Sequence, residues 1–210
     1  KAKNVFVVGG GDGGVLNEVL KHPTVERAAL IEIDPHVIDI CRKWLPMISD
    51  GAFEDKRTEV IITDGAKFMA ETERKADVII VDSTDPHGPG EVLFSEAFYR
   101  NCRRVLNPGG IIVTQSGVPS IQPTEATTTV KRLGSVFKDA AVYVAAVPTY
   151  AGGLMALGWG CDDASRRTQP LAAIEERYRA SGIKTRYYHP MIHVCAFALP
   201  GYVRELMPAR

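Results

Sequence analysis

Short apolar runs alternate along the chain with stretches whose apolar residues recur at helical spacing, the pattern of repeated βα units around a parallel sheet. Residues 5–8 read as a buried strand, ended by the glycine-rich run 9–14, and residues 15–21 read as a helix that stops at His22-Pro23. A second strand over 28–33 ends in Glu32-Ile33-Asp34, and Pro35 suits the first position of a helix reaching about residue 45. The third strand covers 60–63, followed by Asp64-Gly65 and a helix to about residue 71. The fourth, 78–81, is the most continuously apolar and is therefore expected at the centre of the sheet.

That strand runs into Asp82-Ser83-Thr84-Asp85-Pro86 and a loop rich in Gly and Pro to Glu91. A helix over about 95–106 is closed by Asn107-Pro108-Gly109-Gly110, ahead of a fifth strand at 111–114 and a helix at 123–136. Residues 141–147 and 154–159 read as two late strands. Their connection, 148–153, is too short for a parallel crossover and predicts an antiparallel pair. Residues 171–180 form a polar-faced helix, and the tail 187–206 is helix-like with interruptions at Pro190 and Pro200. With no repeat or linker, the 210 residues read as a single domain carrying a helical tail over about 165–210.

Charge and cysteine usage narrow the function classes. Lys plus Arg and Asp plus Glu balance at 25 each, so no overall field attracts nucleic acid or an anionic membrane. Cys41, Cys102, Cys161 and Cys195 lie far apart, with no Cys-x-x-Cys pair and no zinc spacing, and read as buried, reduced thiols. No apolar run approaches the ~20 residues of a membrane helix, which makes a reducing cytosol the expected setting. The chain opens on Lys1 and reaches strand-like sequence by Asn4, so a natural segment ahead of it is expected.

Polar residues gather at successive strand ends: Asp12, Glu32, Asp64, Asp82 with Asp85, and Gln115. In open α/β sheets that edge binds ligands, although Asp and Gly also build turns and cap helices there. Gly9, Gly11 and Gly14 satisfy G-x-G-x-x-G between a strand and a helix, and Glu32 follows where an acid accepts bonds from ribose hydroxyls. NAD is compatible with these features alone. Asp12, however, stands inside the loop where a pyrophosphate would meet the helix, and its carboxylate suits a cation such as a sulfonium. An S-adenosyl ligand is therefore favoured, with Asp64-Gly65 placed for the adenine amino group.

Asp82 and Asp85, beside such a pocket, suit an amine as second substrate, with Gln115 adding a hydrogen bond and Tyr150 a hydroxyl from a Pro- and Gly-bounded turn. A packed aromatic with a wet tip is the plainer reading of Tyr150. His22, His87, His189 and His193 show no triad or metal spacing. Trp44 and Trp159 read as core, and Arg166-Arg167 as a solvated pair.

Together, Gly9 to Gly14, Glu32-Ile33-Asp34, Asp64-Gly65, the Asp82 to Pro89 segment, Thr114-Gln115-Ser116-Gly117 and Pro148 to Gly153 resemble the polyamine aminopropyltransferases. Arg186 to Pro190 and Ala196 to Pro200 are similar to the bacterial members. The resemblance implies a Rossmann-like fold of the class I S-adenosylmethionine-dependent methyltransferase type, a mostly parallel seven-stranded sheet with a late antiparallel pair. It implies that Asp12, Glu32, Asp64, Gly65 and Pro89 contact decarboxylated S-adenosylmethionine, a co-substrate, with no separate cofactor and no metal. By the same resemblance Asp82 is the catalytic acid/base, while Asp85, Gln115 and Tyr150 help bind putrescine and two copies pair as a homodimer. The family also has a small N-terminal β domain, which these 210 residues are expected to lack. Two rivals stand beside this reading: a methyltransferase on the same sheet, and a nucleotide-binding domain without turnover.

Overall fold

The computed structural model describes residues 1–208. Among the described residues seven strands make a mostly parallel sheet that includes an antiparallel pair. The chain divides into two compact units, residues 1–114 and the remainder from Gln115 onward.

In the first unit β1 (Asn4–Gly9), α1 (Gly14–Leu20), β2 (Arg27–Glu32), α2 (Pro35–Trp44), α3 (Pro46–Ser49), β3 (Thr58–Ile62), α4 (Gly65–Glu71), β4 (Ala76–Asp82), α5 (Glu96–Val105) and β5 (Leu106–Gln115) follow in chain order. The strands lie in the order β3-β2-β1-β4-β5 and run parallel. β1 is flanked by β2 and β4, with Val7 opposite Leu30 on one side and Ile80 on the other. An interior parallel strand is covered on both faces, which explains why residues 5–8 are all apolar and all buried. β4, also interior, has the continuously apolar sequence expected of it. The order turns back on itself at β1, so the carboxyl ends of β1 and β4 flank a switch point, the place where such sheets bind ligands.

One core cluster lies around Val5, Val7, Leu16, Leu30, Ile38 and Phe53. Each large aliphatic side chain buried there stabilises the fold by roughly 1.5–3 kcal/mol. The helix starts follow their sequence signals. Asp34 caps α2 by accepting from the His36 N–H at 2.9 Å with Pro35 at the first position, and Ser95 caps α5 through the Phe98 N–H.

The fifth strand differs from its expected form. It begins at Leu106, directly after α5, and includes the Asn-Pro-Gly-Gly run expected to close that helix ahead of a strand at 111. Leu106 pairs with Ala76 and Ile111 with Val78, so two steps along β4 face five along β5 and three residues bulge from the ladder. Asn107 anchors the bulge by donating to Asp77 Oδ1 at 2.8 Å. The breaker residues thus interrupt pairing without ending the strand.

In the second unit α6 (Pro123–Val136), β6 (Asp139–Ala146), β7 (Leu154–Cys161), α7 (Leu171–Ser181), α8 (Pro190–Ala196) and α9 (Gly201–Glu205) follow. β6 and β7 pair antiparallel from Asp139 opposite Cys161 to Ala146 opposite Leu154, as their short connection predicts. α6 packs on this pair through Ala126, against Val142 and Ala156. Pro190 and Pro200 open the tail helices rather than interrupting one, since proline lacks the N–H that a first turn leaves unused.

Three side chains depart from the sequence reading. Trp44 is 66% exposed, with Lys43 Nζ 4.9 Å from its ring centroid, whereas Trp159 is buried as expected. Cys195 is exposed, while Cys41, Cys102 and Cys161 are buried and free. Arg167 is not solvated: its guanidinium grips the Asp139 carboxylate at 2.7 and 2.9 Å.

Candidate active site

Asp82 ends β4 opposite Gly9, the last residue of β1. The chain then passes through Gly10 and Gly11 so closely that side chains are excluded. A methyl group on Gly10 would lie 3.0 Å from Asp82 Oδ2, and one on Gly11 would lie 2.8 Å from Glu32 Oε2. The loop therefore threads between two carboxylates, and Asp12 follows at its crest.

Three of the carboxylates at this edge, those of Asp12, Glu32 and Asp64, are held by the backbone through one oxygen. Asp12 Oδ1 accepts from the Gly14 N–H at 2.8 Å, and Glu32 Oε1 from the Asp34 N–H at 3.0 Å. Asp64 Oδ1 caps α4 by accepting from the Ala66 and Lys67 N–H groups at 2.7 and 2.9 Å. Among the described residues, the second oxygen of Asp12, Glu32 and Asp64 has no protein donor, and neither has either oxygen of Asp82. Turn building thus engages one oxygen of each of these three groups and leaves the other turned from the turn's own donors.

Asp82 is the electrostatic outlier. Burial, and secondarily the Asp12 carboxylate, push its pKa above the ordinary 3.8. Burial and Asp12 also raise the Cys41 thiol, which places Asp12 near both Asp82 and Cys41. Glu32 is only 8% exposed, yet it sits in the same cluster without a cationic side chain bonded to it among the described residues. Such a cluster favours a positively charged ligand and disfavours a phosphate.

Other predicted residues sit further along. Gly65 packs closely on β1, where an added methyl would lie 2.5 Å from Val8 Cγ1, and this brings the start of α4 to the same edge. Asp85 and Pro89 are exposed on the loop beyond Asp82, which folds back as a 3-10 turn over Gly88–Phe94. Within the second unit, Gln115 is buried and its Oε1 accepts from the Gly117 N–H at 2.9 Å. Tyr150 is 51% exposed in a turn tied by its own N–H to Val147 O and by the Gly153 N–H to its carbonyl. That turn rests on residues 118–121, where a methyl on Gly152 would meet Ser120 Oγ at 2.9 Å. Among the described residues, no group of three or more His, Cys, Asp or Glu is placed to hold a metal ion.

Sequence reasoning passed over the ground behind the loop. Val37, Cys41, Ser49 and Phe53 crowd Gly11, Asp12 and Gly13. Pro46 and Asp50-Gly51 were the available turn signals, in a stretch whose lack of periodicity hid its packing.

The chain is similar to known proteins in sequence and in fold. Residues 1–169 match the spermine/spermidine synthase domain. A polyamine aminopropyltransferase from Ruegeria sp. (strain TM1040) is 53% identical over 207 residues, 99% of this chain and 73% of the relative. Another from Pseudomonas syringae pv. tomato is 54% identical over 202 residues, 96% of this chain and 71% of the relative. The crystal structure of a spermidine synthase in complex with the transition state analogue AdoDATO superposes with a TM-score of 0.91 at 35% identity, over 98% of this chain and 69% of that one. The spermidine synthase of Thermotoga maritima gives 0.89 at 34% identity, over 98% and 68%. The family match, these identities and the seven-stranded fold agree, and the chain belongs to the spermine/spermidine synthase family of polyamine aminopropyltransferase enzymes.

Proposed function

We propose that the chain transfers the aminopropyl group of decarboxylated S-adenosylmethionine to putrescine, giving spermidine and methylthioadenosine. The observation that carries this reading is Asp82: a half-buried carboxylate at the switch point, with raised pKa and no protein donor among the described residues.

In this reading the free oxygen of Glu32 accepts from the ribose hydroxyls and that of Asp64 from the adenine amino group, while Asp12 faces the cationic aminopropyl-sulfonium part. Gly9, Gly11, Gly65 and Pro89 line the nucleotide. Asp82 and Asp85 hold the diamine, with Gln115 and Tyr150 assigned to the same amine by resemblance to the family. The amine nitrogen attacks the propyl carbon bonded to sulfur. A C–N bond forms, the C–S bond breaks, and its electron pair neutralises the sulfonium as methylthioadenosine leaves.

A free alkylammonium, with a pKa of about 10.4, must first lose a proton. Asp82 is the acceptor or relay, and its raised pKa makes it a better base than an ordinary aspartate. The nearby sulfonium lowers the amine's own pKa, which narrows the remaining gap. The sulfonium is itself an activated leaving group, so the step needs no further cofactor. With this function goes the homodimeric, cytosolic enzyme that the resemblance implies.

Mass spectrometry of the purified chain with putrescine and either decarboxylated or ordinary S-adenosylmethionine tests the reading. Spermidine and methylthioadenosine are expected from the decarboxylated donor alone. A methylated product from the ordinary donor would overturn it, and faster turnover with cadaverine, agmatine or spermidine would reassign the acceptor.

A further inference from the structure

We infer that Phe53, together with Ser49, is a positioning residue for the reaction: the two side chains buttress the glycine loop at Gly13 and so aim the Asp12 carboxylate at the cationic part of the donor. The inference rests on the role proposed for Asp12 above.

Gly13 has a left-handed backbone, φ 78°, and caps the start of α1. Its Cα is pressed against the segment behind the loop. An added methyl there would lie 2.7 Å from Ser49 Cβ and 2.8 Å from Phe53 Cζ. The next residue is backed in the same way, since a methyl on Gly14 would meet Ile48 Cγ2 at 3.0 Å. Gly14 supplies the N–H that holds Asp12 Oδ1. Phe53 and Ser49 therefore back the loop at Gly13, between Asp12 and the Gly14 N–H that holds its carboxylate.

The buttress is itself fixed. Asp50, whose φ of 44° makes it the one non-glycine residue with positive φ among the described residues, bonds its N–H back to Pro46 O and turns the chain into Gly51. Aspartate is among the few residues besides glycine that adopt this backbone readily. The Arg42 guanidinium lies 4.7 Å from the centroid of the Phe53 ring and 3.6 Å from Glu54, closing the outer side. Phe53 and Ser49 are both buried. Removing the ring takes away one of the two side chains that back Gly13, and the Gly14 N–H that orients Asp12 shifts with the loosened loop.

A purely structural side chain would weaken every ligand alike. A positioning role is selective, because the donor carries a sulfonium and a propylammonium whereas methylthioadenosine is neutral. Calorimetric binding of the two compounds to the whole chain reads the difference. Phe53→Ala should bind the decarboxylated donor about tenfold more weakly while its affinity for methylthioadenosine changes by less than about twofold. Phe53→Leu, which retains bulk and secures folding if the alanine variant does not fold, should show the same selectivity at about threefold. Equal weakening of both compounds, or of neither, overturns the inference.

Asp12→Asn is the control and should give the same selective loss. If it does not, the Asp12 assignment fails, and the buttress is judged on amide hydrogen exchange. Faster exchange at the Gly14 N–H in the Phe53 variants supports it, and unchanged exchange overturns it.

Discussion

Asp82 carries a stability cost that goes with the proton-accepting role proposed for it. Burial and the Asp12 carboxylate disfavour its charged form in the folded chain, so its pKa lies above the 3.8 of the unfolded one. Between those two values the folded state holds a proton that the unfolded state has released. Stability therefore falls as pH rises through that window, and the ionised group remains a fixed penalty at neutral pH. Asp82→Asn should remove the penalty. Its melting temperature should exceed that of the parent at pH 7, and the advantage should vanish below the ordinary 3.8. The same variant should lose most turnover while methylthioadenosine affinity stays near that of the parent, because proton transfer is removed and the nucleotide contacts are not. Unchanged kcat would remove Asp82 from the chemistry, and a lower melting temperature at pH 7 would contradict the burial argument.

At the scale of elements, α4 carries a site carboxylate at one end and a structural arginine at the other. Asp64 caps its start, and Arg104 from α5 donates to Met69 O, Ala70 O and Thr72 O at 2.9, 3.0 and 2.9 Å. These carbonyls are among those a helix C-terminus leaves unpaired. Arg104→Ala should cost about 1–3 kcal/mol in urea denaturation. Arg104→Lys should recover little, since an ammonium lacks the planar fork. A loss below about 0.5 kcal/mol would show that water replaces the arginine. Neither this clamp nor the Asp139–Arg167 pair is legible in sequence, because each joins residues distant along the chain. The βα alternation, by contrast, is local: periodicity, Pro35 and the glycine run placed β1, α2 and the antiparallel β6–β7 pair to within about two residues, as such signals do. The convergence of Asp12, Glu32 and Asp82 was legible for a related reason, since parallel strands bring all their carboxyl ends to one edge. What failed was recognition of chain that pairs or packs without periodicity. The bulge in β5 and the 46–54 segment both rest on tertiary contacts that no local pattern announces.

For the whole molecule, equal numbers of acidic and basic residues mean that attraction for a cationic ligand must come from where charges sit, not from net charge. Asp12, Glu32, Asp64, Asp82 and Asp85 all belong to the first unit, and the first four end or follow its strands. Several basic side chains are paired elsewhere: Lys3 with Glu26, Arg57 with Asp55, Arg74 with Glu59 and Arg167 with Asp139. The donor and the diamine should therefore feel a local negative field while a neutral nucleotide feels none. Raising salt from about 0.05 M to about 0.5 M shortens the screening length from about 14 Å to about 4 Å. Over that range the KM for donor and for amine should each rise severalfold, while the dissociation constant of methylthioadenosine stays constant. Initial-rate kinetics and calorimetry across the salt series read both quantities. A methylthioadenosine affinity that falls in parallel with the two KM values would mean that salt acts on the fold. Salt-independent KM values would mean that the carboxylates act only in direct contact with the ligand.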